Sequence, residues 1–427
     1  MNLLERKVYN VIAAHPWIRK SVVYMYQRLF AIIPSAVFEP IHDLTTIKGC
    51  FYGFHDKIPW SNDNIFLLAH RYDTTRTPKQ AETLAIDIGV VENQGEFRRI
   101  TQSKCWNWQQ GSMLQWLGKD GLFAFNDYNQ EECIKIYNTH GEKIKEISGH
   151  LGAAHPEGKT AIGFSFGRLK KATEEYGYNY FNACHIEKNN PAEDGLWLID
   201  IDKNRRHLIV SLETLSKKDS NHTMKTAYHY VTHTTYSESG NNYVFLHRWK
   251  SNTGILYSRL YIGDTATNTL RYFPIFDTSH ISWDGNDRLF IYGWLSKNNP
   301  CYISLCAKTL TATPVHLGIP NVDGHPQVHN NGLVVTDSYP NRSRLQSLYV
   351  CNLVNGDCYL LQKTKIPFRY RLAMRCDFHP RWDRTGTKIC FDSASSGIRS
   401  LCIIGSFSTS DKKYKRISYD AIKYDSK

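Results

Sequence analysis

The sequence has no pair of cysteines at the spacing of a metal ribbon or a redox motif. Its 11 Cys stand singly, as at Cys50, Cys105, Cys133, Cys184, Cys301 and Cys306, and no CxxC occurs. Zinc fingers and thioredoxin-like chemistry are thereby excluded. An odd, scattered set fits buried free thiols in a reducing compartment better than a disulfide framework, so a cytoplasmic location is expected. There is no P-loop and no GxGxxG, which removes the commonest signatures of phosphate and dinucleotide binding. No apolar run reaches the roughly 18 residues of a spanning helix. The segment from Met1 to Pro34 is broken by Glu5, Arg6, Lys7, His15, Arg19, Lys20 and Arg28, unlike a secretory signal. Long helical periodicity is missing after residue 45.

What is present is basic and aromatic. The 427 residues carry a formal net charge of +12, with 26 Tyr and 10 Trp. Such a balance suits an acidic partner, either a polyanionic glycan or an anionic lipid surface. Without a basic low-complexity tail or zinc-finger spacing, nucleic acid is not expected as a partner. Residues 1–45 read as an amphipathic helical segment broken near Pro16. It can lie on an anionic membrane surface, making the protein peripheral to the inner membrane, or pack on the rest of the chain.

The rest is repetitive. Four segments align: THTTYSESGNNYVFLHR from Thr232, SHISWDGNDRLFIYG from Ser279, GHPQVHNNGLVVTDS from Gly324 and FHPRWDRTGTKICFDS from Phe378. Each has a His near its start, then a turn with Gly, then an apolar strand. Weaker copies begin at Phe54, Gln110 and Leu151. Seven units at this period predict an all-β, seven-bladed β-propeller with a short helical N-terminal segment. The expected organisation is 1–45 helical, 46–410 propeller and 411–427 tail. A closed propeller has no open sheet edge that needs a partner, so a monomer is expected. The innermost strands of a propeller ring its channel, which predicts that His55, His233, His280, His325 and His379 gather at one mouth.

The stretches WNWQQGSMLQW (Trp106 to Trp116), FLHRW (Phe245 to Trp249), SHISW (Ser279 to Trp283), DGHPQV with TDSYP (Asp323 to Pro340) and RCDFHPRW with ICFDS (Arg375 to Ser393) carry a resemblance. Over residues 50–405 the chain resembles bacterial propellers related to oligogalacturonate lyases and, more loosely, ulvan-type polysaccharide lyases. Many such propellers sit near surface-polysaccharide genes. The resemblance implies a divalent metal, such as Mn, Ca or Zn, held by three His and a Gln. The ligand set expected here is His280, His325, His379 and Gln327, with His233 and His329 as alternatives.

A lyase working by β-elimination on a uronate must neutralise the carboxylate, remove the neighbouring proton and protonate the leaving oxygen. The candidate catalytic residues are His233 as base, Arg248 and Arg375 as carboxylate partners, and Tyr178 as acid. Arg381, Gln109 and Gln110 are candidate substrate contacts. So are Arg168, Tyr176 and Asn182, in a long insertion at residues 167–190 that suits a lid or clamp. The function expected is a metal-assisted lyase-like protein acting on an acidic, uronate-containing glycan. The alternative is a non-catalytic glycan- or protein-binding propeller accessory to capsule or O-antigen biosynthesis.

Overall fold

The computed structural model describes residues 16–32, 36–39, 44–92, 95–173, 175–182, 184–273, 277–296, 299–411 and 413–417. Residues 1–15, from the expected N-terminal segment, and 418–427, from the expected tail, lie outside them. Seven antiparallel sheets make seven blades around a channel. Blade 1 starts at Cys50–Phe51, blade 2 at Gln115–Leu117, blade 3 at Ala153–Ala154 and blade 4 at Tyr228–Tyr236. Blade 5 starts at Asp277–Asp284, blade 6 at Gln327–Val328 and blade 7 at Arg381–Trp382. The predicted propeller is therefore observed.

The ring is closed by a strand from the other end of the chain. Leu44–Lys48 adds to blade 7 through Ser400–Ile404, with Ile47 opposite Leu401. In blade 6, Lys415–Ile417 pairs with Cys358–Lys365 as a fifth strand. The second strands of blades 6 and 7, Leu333–Asp337 and Ile389–Ser393, are buried along their whole length. A neighbouring blade covers each face, so apolar residues run without alternation. Outer strands such as Lys143–Ser148 face water and are charged. The turn glycines of the repeats, Gly240 and Gly386, have φ of 78° and 69°. Glycine takes this left-handed conformation without the Cβ penalty, which closes each hairpin tightly.

Helix Pro16–Ile32 packs on the outside of the propeller. Tyr24 meets Phe368 at 5.1 Å, and Arg371 stacks over Tyr24 at 4.4 Å. Met25, Leu29 and Ile32 remain exposed. No described helix is long and apolar enough to cross a membrane. The all-thiol expectation needs one correction. Cys351 and Cys358 face each other on adjacent strands of blade 6 and are paired as a disulfide, while nine cysteines are free.

Candidate functional site

The repeat histidines do converge, but inside the channel rather than at an open mouth. His55, His233, His280, His325 and His379 are each at most 6% exposed. The rings of His325 and His379 are 4.2 Å apart and those of His280 and His325 4.3 Å. His55 lies 5.5 Å from His325, and His233 lies 6.3 Å from His280. Phe54 contacts the set, 5.1 Å from both His233 and His379.

Local backbone irregularity aims these rings. The pairing register of blade 4 shifts between Thr232 and Thr235, and that of blade 5 between Thr278 and His280. Such bulges redirect a side chain without breaking the sheet. His233 and His379 also sit at φ of 54° and 43°. Non-glycine residues hold that conformation at a cost, and it recurs at functional sites.

Buried carboxylates orient the cluster. Asp337 accepts from the backbone N of His325 at 2.9 Å and from that of His379 at 3.1 Å, and its Oδ1 lies 2.8 Å from His325 Nδ1. Asp323 lies 2.9 Å from His280 Nδ1. On its other side, His280 Nε2 lies 3.5 Å from the Tyr339 hydroxyl. Asp377 is fully buried, ion-paired to Arg375 and 4.0 Å from His379 Nε2.

His325, Asp377 and His379 bring one ligand atom each to within 4.8 Å of one another, and the three could hold a metal ion. Their chemistry fits one. His325 Nε2, both ring nitrogens of His379 and Asp377 Oδ1 are buried without a hydrogen-bond partner. A carboxylate on the opposite nitrogen, as Asp337 provides to His325, is the usual support for a ligating imidazole. Two imidazoles and a carboxylate suit a divalent transition metal.

Burial and charge set the protonation pattern. Burial pulls His55, His233 and His379 well below the usual imidazole range, and neighbouring imidazoles reinforce it. Burial also opposes the charged form of His325, but the carboxylates of Asp337, Asp377 and Asp323 outweigh it and raise its pKa. Burial raises Tyr176 and drives Tyr339 well above the usual phenol range, so both keep their protons.

No protein-family model matches the sequence, and no curated protein does. Solved structures do. One is an oligogalacturonate lyase in complex with manganese: TM-score 0.62, 12% identity, covering 88% of this chain and 96% of that one. Another is an oligogalacturonate lyase from Vibrio parahaemolyticus: TM-score 0.58, 13% identity, covering 86% and 95%. The fold is that of the oligogalacturonate lyases.

Within this lyase-like propeller, the sequence candidates separate. Arg375 and Tyr176 lie at the cluster: Arg375 is ion-paired to Glu175 and Asp377 and donates to the Tyr176 hydroxyl at 3.3 Å. Tyr176 meets the His233 ring at 6.3 Å. Arg248 reaches the carbonyls of Thr278 and Ser279 beside His280. Gln109 donates to the Arg375 carbonyl at 2.8 Å and so supports that arginine. Gln110 is buried, with Oε1 unpartnered.

Other candidates are tied up elsewhere. Gln327 accepts from Trp382 N at 2.6 Å and donates to His55 O at 3.1 Å, so its amide joins inner strands instead of facing the ligand atoms. His329 lies near the Arg384 carbonyl in a different cavity. Arg381 is buried, donates to Asp392 at 2.9 Å and to Gly53 O, and closes the ring of inner strands. Arg168 is held by Asp194 and by the carbonyls of Lys188, His229 and His185, which fixes the insertion rather than a ligand. Tyr178 is buried, accepts from Asn126 at 2.9 Å and stacks on Phe166 at 4.3 Å. Asn182 is exposed beside Glu132.

Asp377, Tyr339, Asp323 and Glu175 were not among the expected site residues. The signal for Asp377 was adjacency: it stands two residues before His379. One further pattern is resolved by geometry. Residues 163–167 read Gly-Phe-Ser-Phe-Gly, the spacing of a nucleophile elbow. Ser165 has an ordinary φ of −73° and caps helix Phe166–Ala172 by accepting from Arg168 N, so the strained elbow is not built.

Proposed function

We propose that the protein is a metal-assisted lyase acting on an acidic, uronate-containing oligosaccharide. One observation carries this reading: His325, Asp377 and His379 present unpartnered, buried ligand atoms inside a propeller of oligogalacturonate-lyase fold. A divalent ion held by these three would supply positive charge to a uronate carboxylate when bound. Arg375 adds a guanidinium beside it, once Glu175 moves off to let a substrate carboxylate take its place. His233, neutral because it is buried, accepts the proton from the carbon next to the carboxylate. That electron pair forms the new carbon–carbon double bond as the β carbon–oxygen bond breaks. Tyr176, protonated and beside His233, delivers a proton to the departing oxygen. One proton leaves carbon and one reaches oxygen, so the step needs no redox partner.

The test joins two measurements. Protein purified without chelator is assayed for bound metal, in wild type and in a His325→Ala/His379→Ala double variant. It is then incubated with oligogalacturonate and followed in the near ultraviolet for the unsaturated product. About one ion per chain, lost in the variant, together with product formation supports the lyase. No metal after addition of Mn, Ca or Zn would overturn the metal-assisted reading.

A second reading has its own observation. The five imidazoles are covered, with Glu175 and Tyr176 of the insertion engaging Arg375. A covered centre suits a non-catalytic, glycan- or protein-binding accessory of surface-polysaccharide assembly. Metal without product from any acidic oligosaccharide favours that reading.

A further inference from the structure

The innermost strands run away from the histidine cluster to their hairpin turns, and those turns frame a second cavity of about 420 Å³ at the other end of the channel. Its wall repeats an aromatic residue. Tyr236, Trp283 and Trp382 each stand three residues after a cluster histidine (His233, His280 and His379), and Trp116 of blade 2 joins them. The indole N–H of Trp116 donates to Pro59 O at 2.8 Å and that of Trp283 to Thr235 O at 3.4 Å. Both are half-buried, and with their polar atoms taken they offer the cavity carbon surface.

Polar groups without partners lie in the same wall. Asp56 Oδ1, His55 Nε2 and Trp382 Nε1 are buried and unsatisfied, and all three residues line the cavity. Leaving such groups unpaired is costly, so they point to a ligand that both donates and accepts. The charges balance. Lys57, Lys119 and Arg384 stand against Asp56, Glu238 and Asp383, with Lys57 paired to Asp56 at 2.5 Å. An anionic ligand has no net field to attract it here.

We propose that this cavity binds a neutral sugar, one or two pyranose rings long, stacked on Trp116 and Trp283 and hydrogen-bonded by Asp56, His55 and Trp382. The volume lies within the range of small-molecule sites. Carbon faces flanked by donors and acceptors match a pyranose, whose ring C–H groups face one way and whose hydroxyls ring its edge. His55 lies between the two ends of the channel, lining this cavity while packing 5.5 Å from His325. The site is separate from the candidate metal centre and does not depend on its chemistry.

The experiment uses the full chain and glucose, galactose, N-acetylglucosamine, maltose and cellobiose, followed by saturation-transfer NMR and tryptophan fluorescence. At least one of these sugars is expected to bind saturably. Trp283→Ala should weaken it about tenfold, the loss of one aromatic stacking surface. Ala154→Trp, which adds bulk to the cavity wall and removes no aromatic ring, should weaken it as well and decides the matter if Trp283→Ala does not fold. Chelator treatment, which strips any metal from the channel centre and removes no side chain, should leave the affinity unchanged. No saturable binding across the panel overturns the proposal, since water alone then satisfies the buried groups. Binding that survives both cavity variants, or that chelation abolishes, overturns it too, because the sugar then sits elsewhere.

Discussion

A ring nitrogen in this channel is free to ligate only because something holds its partner nitrogen or its backbone. Asp337 does both, fixing His325 through Nδ1 and the amides of His325 and His379 together. Asp337→Asn keeps the size of the side chain but removes the charge that favours the Nδ1–H tautomer. Metal affinity is expected to fall about tenfold, read by competitive titration of Mn into the chelator-treated protein. Unchanged affinity would mean that Asp337 serves folding only. In the sequence, Asp337 of TDS recurs as Asp392 of FDS at the end of an equivalent strand, a pattern that fits a turn cap as well as a site residue. Asp392 does bind backbone, accepting from Tyr52 N and Gly53 N. Each follows a histidine in its repeat, but only His325 folds back onto its aspartate; Asp392 takes the Arg381 guanidinium at 2.9 Å instead. Tyr339 and Glu175 were not legible at all, since their neighbours His280 and Arg375 come from other blades.

Glu132 lies outside the cluster and offers a sharper electrostatic test. Its side chain is 15% exposed and stands 3.6 Å from buried His150, and burial pushes its pKa up to about 7. An unfolded glutamate titrates near the ordinary value of 4.5. A raised folded pKa means that the folded state holds its proton more tightly. Its contribution to stability is full below about pH 4.5 and is lost as pH rises through about 7. Glu132→Gln keeps an acceptor for Asn182 N and removes the ionisation. Urea unfolding across pH 5 to 8 should show the variant gaining on wild type with rising pH. Across that range the gain should come to about 2 kcal/mol. Parallel profiles would show that the carboxylate ionises without penalty.

Helix Pro16–Ile32 divides its residues between two surroundings. Tyr24 is clamped between Phe368 and Arg371, whereas Met25, Leu29 and Ile32 share one exposed stripe at helical spacing. The helix contains Arg19, Lys20 and Arg28 and no acidic residue. The sequence could not choose between a packed helix and a membrane-surface one, because each needs an apolar face. The structure uses one face on the propeller and leaves another open. We propose that the open face rests on an anionic lipid surface. The protein should sediment with phosphatidylglycerol-containing vesicles in a salt-sensitive way. Met25→Glu/Leu29→Glu should abolish this with little change in stability, as expected for exposed positions. Equal sedimentation of the double variant would reject the proposal. The insertion reads differently. Among its described residues only Glu175 and Tyr176 reach the cluster, while Arg168 and Tyr178, equally prominent in sequence, anchor it.

Ring closure depends on one short strand. Seven blades were legible because the histidine–turn–strand unit recurs, but which strand completes the last blade was not. Leu44–Lys48 precedes blade 1 in sequence and carries no repeat signature, yet it pairs with Ser400–Ile404. Ile47 is its buried contact, packed among Leu68 of blade 1 and Cys390 and Leu401 of blade 7. Truncating that side chain opens a cavity at the seam where the ring joins. Ile47→Ala should therefore cost about 2–4 kcal/mol. Thr45→Ala, on the exposed face of the same strand, should lie within about 0.5 kcal/mol of wild type. If closure also holds the channel together, Ile47→Ala should lower metal affinity while leaving His325, Asp377 and His379 intact, because Phe54 and His55 follow directly from blade 1's inner strand Cys50–Phe51. Thermal unfolding monitored by tryptophan fluorescence, run beside the metal titration, separates the cases. Loss of stability with unchanged affinity would show that the seam and the centre are energetically independent. Loss of both would show that the histidines are held in place by the closed ring rather than by their own blades.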